Sequence, residues 1–235
     1  MHPDLSKLLD LQAKDAAIAE VDERIAALDA DVTALDRELE RARGALDTAQ
    51  RVASEGERRR DELETKIESY RQLQERRRQR LEFVRNPKEA STFMAEMDLA
   101  RSVLAKEEGD WVRSADAVDA LRARVGEEEA KLGSVEAEQR PRRAELAEQR
   151  AQLVAGRDDL LRQREGAAAQ LERTLRIRYD RLRRARASAV VVPLSGDACG
   201  ACFTAVPRNR RSQIRSGALL DGCEACGVIL YAVES

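Results

Sequence analysis

Aromatic residues are nearly missing from this 235-residue chain: three Phe, three Tyr and one Trp, or 3% of the whole. So few rings cannot fill a broad three-dimensional core, which excludes a large α/β enzyme fold. Glycine (12) and proline (5) are scarce, so the chain contains few turns. No apolar run approaches the roughly 18 residues of a membrane span; the longest, residues 189–194, is far too short. The first residues show neither the basic nor the apolar stretch of a signal peptide, and the expected location is cytoplasmic. Cysteine is missing before position 199, and net charge is nearly missing too, at -2.

What is present is charge of both signs, 42 basic against 44 acidic residues, within a chain that is 43% hydrophobic. Disorder would share the charge but not the apolar content or the balance of signs. Long helix or coiled coil fits both. Alternating steps of three and four from Ile18 land on Val21, Ile25, Leu28, Val32, Leu35, Leu39, Ala42, Leu46, Ala49 and Ala53. They continue through Gly56 and Arg60 to Leu63, Ile67 and Tyr70, and only Gly56 and Arg60 break the apolar stripe. A stripe this narrow faces one partner helix, and it predicts a first helix over residues 3–84.

Asn86-Pro87 interrupts the stripe, because proline disfavours helical backbone in the residue before it. Periodicity then resumes: steps of seven from Leu104 reach Trp111, Val118, Val125, Leu132, Gln139, Leu146, Leu153, Leu160 and Ala167, with Gln139 the polar exception. Pro141 is expected to kink this second helix or open a turn of it. Two long helices about a tight break predict an antiparallel coiled-coil hairpin over residues 1–187 with its tip near 85–88. A parallel homodimer through the same seam is the alternative, so the chain is read as monomer or homodimer. Folding about residue 86 sets Leu5 near Ala167 and Leu28 near residues 143–146, and leaves residues 168–187 as an overhang. Trp111 and Tyr70 read as seam residues, and His2 as a solvated terminal one.

All four cysteines lie in the tail, as Cys199-Gly-Ala-Cys202 and Cys223-Glu-Ala-Cys226-Gly227, twenty residues apart. C-x2-C-x20-C-x2-C is the spacing of a tetrahedral site with four thiolate ligands, since one turn presents both sulfurs of a pair to a single ion. One structural Zn2+ per chain is expected. A catalytic zinc keeps an open position with His or carboxylate ligands, and the one histidine, His2, is at the other end of the sequence. A redox Cys-x-x-Cys is the alternative, but no βαβ pattern accompanies it. Gly200 and Gly227 are expected to supply positive φ in the turns. Residues 203–206, 218–220 and 228–233 are β-prone, so residues 188–235 are predicted to form a small β zinc ribbon that depends on metal to fold.

Cys199, Cys202, Cys223, Cys226, Gly227, Ile229, Leu230 and Tyr231, behind a helical hairpin, resemble the bacterial C4-type zinc-ribbon family, described as nucleic-acid-binding coiled-coil proteins. The tip sequence Val84-Arg-Asn86-Pro-Lys88-Glu89 is similar to that family's hairpin turn. Some members regulate flagellar genes through an alternative sigma factor, so the resemblance implies a regulator. Phe203 departs from relatives that carry a polar residue there, leaving the four sulfurs as the expected ligands.

Charge is unevenly spread: residues 171–235 hold 11 basic and 6 acidic side chains. The excess lies in Arg173, Arg176, Arg178, Arg181, Arg183, Arg184 and Arg186 on the overhang and Arg208, Arg210, Arg211 and Arg215 in the expected ribbon loop. Arginine suits bidentate phosphate contact, so Arg176, Arg181, Arg183, Arg184, Arg208, Arg210, Arg211 and Arg215 are candidates for binding nucleic acid or a transcription-related protein. The opposing reading is a solvated face, and a scaffold that binds only protein, with zinc merely structural. The basic tip, including Arg76, Arg77, Arg78 and Arg80, reads as a solvated face. Neither a membrane partner, a small-molecule substrate nor an enzymatic activity is expected.

Overall fold

A computed structural model of the chain describes residues 2–185, 189–217, 220 and 222–233. The elements in order are α1 (Leu5–Leu81), α2 (Pro87–Ala169), α3 (Arg173–Ala185), β1 (Val191–Ser195), β2 (Ala198–Cys199), α4 (Arg208–Arg215) and β3 (Ile229–Tyr231). α1 and α2 pack against each other, and a small sheet follows near the C-terminus, as expected. The expected domain boundary at 187/188 lies outside the described residues, as do Arg186 and positions 218–219 of one β-prone stretch. No helix among the described residues is long and apolar enough to cross a membrane.

α2 starts on Pro87, whose missing N–H costs nothing in the first turn. Asn86 caps it: the side-chain Oδ1 accepts from the Lys88 N–H at 3.0 Å and the carbonyl from Ala90 at 2.9 Å. α2 then runs through Pro141 without interruption, so the expected opening of a turn does not occur. Pro141 has no N–H to donate to the Ala137 carbonyl.

Two compact units emerge, residues 32–143 and residues 1–31 with 144–235. In the first, α1 and α2 run antiparallel, joined by Asp36–Arg143 (2.7 Å), Arg43–Glu136 (3.2 Å), Glu57–Arg122 (2.6 Å) and Arg71–Glu108 (2.7 Å). Each step up α1 by seven, or a multiple of it, is matched by an equal step down α2. Such flanking charges contribute little energy each, but they select register and orientation. Gly56 lets the helices approach: a Cβ there would stand 3.0 Å from Leu121 Cδ1 and 3.4 Å from Val118 Cγ2. Gln139, 5% exposed, is satisfied in the seam. Its amide donates to the Leu35 carbonyl (3.0 Å) and Glu38 (2.9 Å), and its Oε1 accepts from Arg143.

In the second unit the same step gives Asp29–Arg150 (2.8 Å), Asp22–Arg157 (2.5 Å) and Asp15–Arg164 (3.1 Å). Leu5 and Ala167 share one apolar cluster. Leu28, however, lines a groove with Gln149, Gln152 and Leu153, not with residues 143–146. The turn at Asn86 reverses the chain, but interlocking side chains set the register, and they place α2 further along.

The expected overhang does not exist as one. α2 stops at Ala169, and α3 is a separate helix that packs back on the start of α1. Leu5, Leu8, Leu11, Ala167, Ala168, Leu171 and Tyr179 form its core with Val190, Val191 and Ile229. The sheet order is β2-β1-β3, with β1 antiparallel to β2 and parallel to β3. Alternation along the strands gives the sheet two apolar faces: Val191 and Ile229 join the helix cluster, while Val192 and Leu230 join a second one around Cys199 and Cys223. Gln12 of α1 pins the strand: its Oε1 accepts from the Val190 and Val191 N–H groups, and its Nε2 donates to the Val191 carbonyl.

Candidate metal centre

Cys199 ends β2, Cys202 follows in the next turn, and Cys223 and Cys226 flank the turn before β3. The four sulfurs all lie within 4.8 Å of one another. Cys199 Sγ is 3.8 Å from Cys226 Sγ, and Cys202 Sγ is 3.6 Å from Cys223 Sγ. With a Zn–S bond of about 2.3 Å, the edge of a tetrahedron is about 3.8 Å. The spacing therefore fits one ion held by four thiolates, and all four cysteines are free of disulfides. A four-thiol cluster of this kind can hold a metal ion.

The backbone around the sulfurs explains the spacing. The Cys199 and Cys223 N–H groups donate to the carbonyls of Thr204 (2.9 Å) and Val228 (2.8 Å), closing each Cys-x-x-Cys into a tight knuckle. Gly227 has φ of 79°, as expected of a glycine turn. Gly200 is needed for another reason: a Cβ would stand 2.4 Å from the Pro193 carbonyl oxygen, which accepts from its N–H. Phe203, not Gly200, takes the other left-handed position, with φ of 58°. Thr204 beside Cys202 lowers that thiol to about 6, through its hydroxyl and its backbone N–H. Burial pushes the Cys226 thiol up to about 12 and raises Cys199 as well.

The candidate arginines do not lie in one loop. Arg208, Arg210, Arg211 and Arg215 belong to α4, a helix that replaces the expected loop. Most of the candidates are engaged within the chain. Arg176 pairs with Asp180 (3.8 Å), Arg183 with Asp15 (3.2 Å), Arg210 with Glu224, and Arg211 and Arg215 with Asp197. Arg181, Arg184 and Arg208 are exposed and make no ion pair among the described residues. Of the remaining basic residues, Arg178 donates to the Leu220 carbonyl at 3.4 Å and fills the space that a Gly222 side chain would need.

Asp15 carries a network that the sequence reading did not single out. It is 6% exposed, accepts from the Tyr179 hydroxyl at 2.8 Å, and pairs with Arg164 and Arg183. Arg164 also reaches Asp180 at 2.5 Å. The signal was the heptad repeat of Asp15, Asp22, Asp29 and Asp36, which flanks the apolar stripe.

Three solved structures share this fold over nearly their whole length. CT398 from Chlamydia trachomatis matches with a TM-score of 0.89 at 18% identity, covering 97% of each chain. A Mycobacterium smegmatis protein gives 0.71 at 22% identity, over 99% of this chain and 100% of that one. The HP0958 protein from Helicobacter pylori gives 0.66 at 14% identity, over 98% of each. The likeness is one of fold. No protein-family model matches the chain, and no functionally curated protein matches it.

Proposed function

We propose that this protein is a non-enzymatic, cytoplasmic adaptor or regulator of the bacterial C4-type zinc-ribbon family. In this reading Cys199, Cys202, Cys223 and Cys226 hold one Zn2+ per chain. The ribbon, with α3 and α4, engages nucleic acid or a transcription-related protein. The carrying observation is the sulfur cluster, whose edges of 3.6 and 3.8 Å suit a single tetrahedral ion. Four thiolates leave no open coordination position, so the ion's role is to hold the ribbon together. A reducing compartment keeps such thiols available for metal.

Phosphate contact falls to Arg181, Arg184 and Arg208, because carboxylates already occupy Arg176, Arg183, Arg210, Arg211 and Arg215. A purely protein-binding scaffold is the second reading, favoured by apolar side chains on the same helices and ribbon. Ile177 is 58% exposed, Phe203 73% and Val233 66%.

Fluorescence anisotropy with single- and double-stranded oligonucleotides separates the two. Three phosphate contacts predict an affinity loss of about fortyfold between 50 and 200 mM salt. Replacing Arg181, Arg184 and Arg208 together by Glu should abolish most of the binding and leave helicity intact. No binding by the wild-type chain at low salt removes the nucleic-acid reading and leaves the protein one.

A further inference from the structure

The interhelical charges of residues 32–143 follow one rule until they reach the tip. Asp36–Arg143, Arg43–Glu136, Glu57–Arg122 and Arg71–Glu108 set opposite charges against each other. Two intervening rungs carry only one charge, Gln50 with Glu129 and Glu64 with Ala115. One further step of seven from Arg71 and Glu108 brings together Arg78 and Arg101. Both line the same cleft of about 320 Å³ between α1 and α2, with Arg71, Gln74, Glu75 and Met97.

Two arginines across a rung repel each other where every other doubly charged rung attracts. Local carboxylates answer this only in part. Arg101 meets Asp98 at 3.4 Å, with both side chains largely exposed, and Arg71 is held by Glu108. Glu75 lines the cleft, but its Oε1 accepts from Gln79 at 3.1 Å. Arg78 makes no ion pair among the described residues. Gln74, which also lines the cleft, carries a buried Nε2 with no hydrogen-bond acceptor among the described residues. Buried donors are almost always satisfied, so this unmatched amide is a strained point in the cleft wall.

We infer that this cleft binds the phosphate group of a small phosphorylated molecule, bridging Arg78 and Arg101. Guanidinium forks on opposite walls suit a phosphate, whose double charge and several oxygens can meet both at once. The ligand is bound, not converted. The site shares no residue with the ribbon and does not depend on the function proposed above.

Isothermal titration of the full chain with pyrophosphate, inorganic phosphate and citrate tests the inference. Pyrophosphate should bind, inorganic phosphate more weakly, and citrate at least tenfold more weakly than pyrophosphate. Arg78→Glu creates an attractive rung with Arg101; it should reduce pyrophosphate binding at least tenfold and raise the melting temperature of the ligand-free protein. Arg80→Glu removes the same charge from outside the cleft and should change binding less than twofold. Equal losses in both variants would mean diffuse attraction and overturn the site. So would preference for citrate, which would assign the cleft to carboxylates, or no heat from pyrophosphate at millimolar concentration.

Discussion

Removing the Asp15 carboxylate should release α3 from the hairpin, and the size of the effect follows from its surroundings. Asp15 accepts from Tyr179 at 2.8 Å and from Arg164 at 3.1 Å, and Arg183 lies at 3.2 Å. Asp15→Ala strands a buried phenol hydroxyl and takes one of two carboxylates from Arg164, whose side chain is 12% exposed. Breaking a buried pair by deleting one partner costs roughly 3–5 kcal/mol. Asp180 remains on Arg164 at 2.5 Å, which places the cost at the lower end, about 3 kcal/mol. Asp22→Ala is the matched control, since Asp22 and Arg157 form a rung with side chains 47% and 37% exposed. Such a pair contributes about 0.2–1 kcal/mol. With a urea slope of about 2 kcal/mol/M, Asp15→Ala should lower the midpoint by about 1.5 M, and Asp22→Ala by less than about 0.5 M. Circular dichroism reads the midpoint, and trypsin should cut after Arg181 and Arg184 faster in Asp15→Ala. Tyr179→Phe should cost about 1 kcal/mol, and the double variant less than the sum of the two. Equal urea shifts for Asp15→Ala and Asp22→Ala would refute the reasoning.

Further outcomes follow from the metal cluster, the rungs and Tyr179. Elemental analysis should find about one zinc per chain; chelation should expose the ribbon to protease while helical dichroism hardly changes. Gly200→Ala should weaken metal retention against a chelator, because its Cβ falls 2.4 Å from the Pro193 oxygen and forces the Cys199 turn to shift. Asp22→Arg should lower the melting temperature and Asp22→Arg with Arg157→Asp should restore it; failure of the double reversal would exclude this register. Burial, and then the Asp15 carboxylate, raise the Tyr179 pKa above its ordinary value of 10.0, so the folded state favours the neutral phenol. That stability is complete below pH 10 and is lost as pH rises through the folded value. Wild type should therefore lose more stability above pH 10 than Tyr179→Phe does, as read by urea melts across that range.

Much of the metal cluster was legible because it is written in local spacing. Cys199, Cys202, Cys223 and Cys226 have few ways to converge once each Cys-x-x-Cys forms a knuckle, and the sulfurs do lie together. The hairpin was legible for a similar reason, since a stripe two positions wide in seven must face one helix. The register was also present but less visible. Asp15, Asp22, Asp29 and Asp36 repeat every seven residues, as do Arg143, Arg150, Arg157 and Arg164, and each set is the other's complement. Turn geometry at Asn86 misplaced Leu28 because a turn reverses a chain without deciding which side chains interlock.

The sequence by itself determined periodicity and ligand spacing, properties carried by neighbours a few residues apart. Tertiary structure alone decided which arginines are free to meet a partner. Arg183 and Asp15, or Arg211 and Asp197, are ordinary charges until the fold brings them together. The fate of residues 168–185 was likewise decided at long range. Nothing local stops that helix at Ala169 strongly; α3 turns back because Tyr179 finds Leu8, Leu11 and the Asp15 carboxylate at the start of α1. Burying a phenol ring while satisfying its hydroxyl outweighs three more turns of solvated helix, and only the folded hairpin offers a place where both are possible.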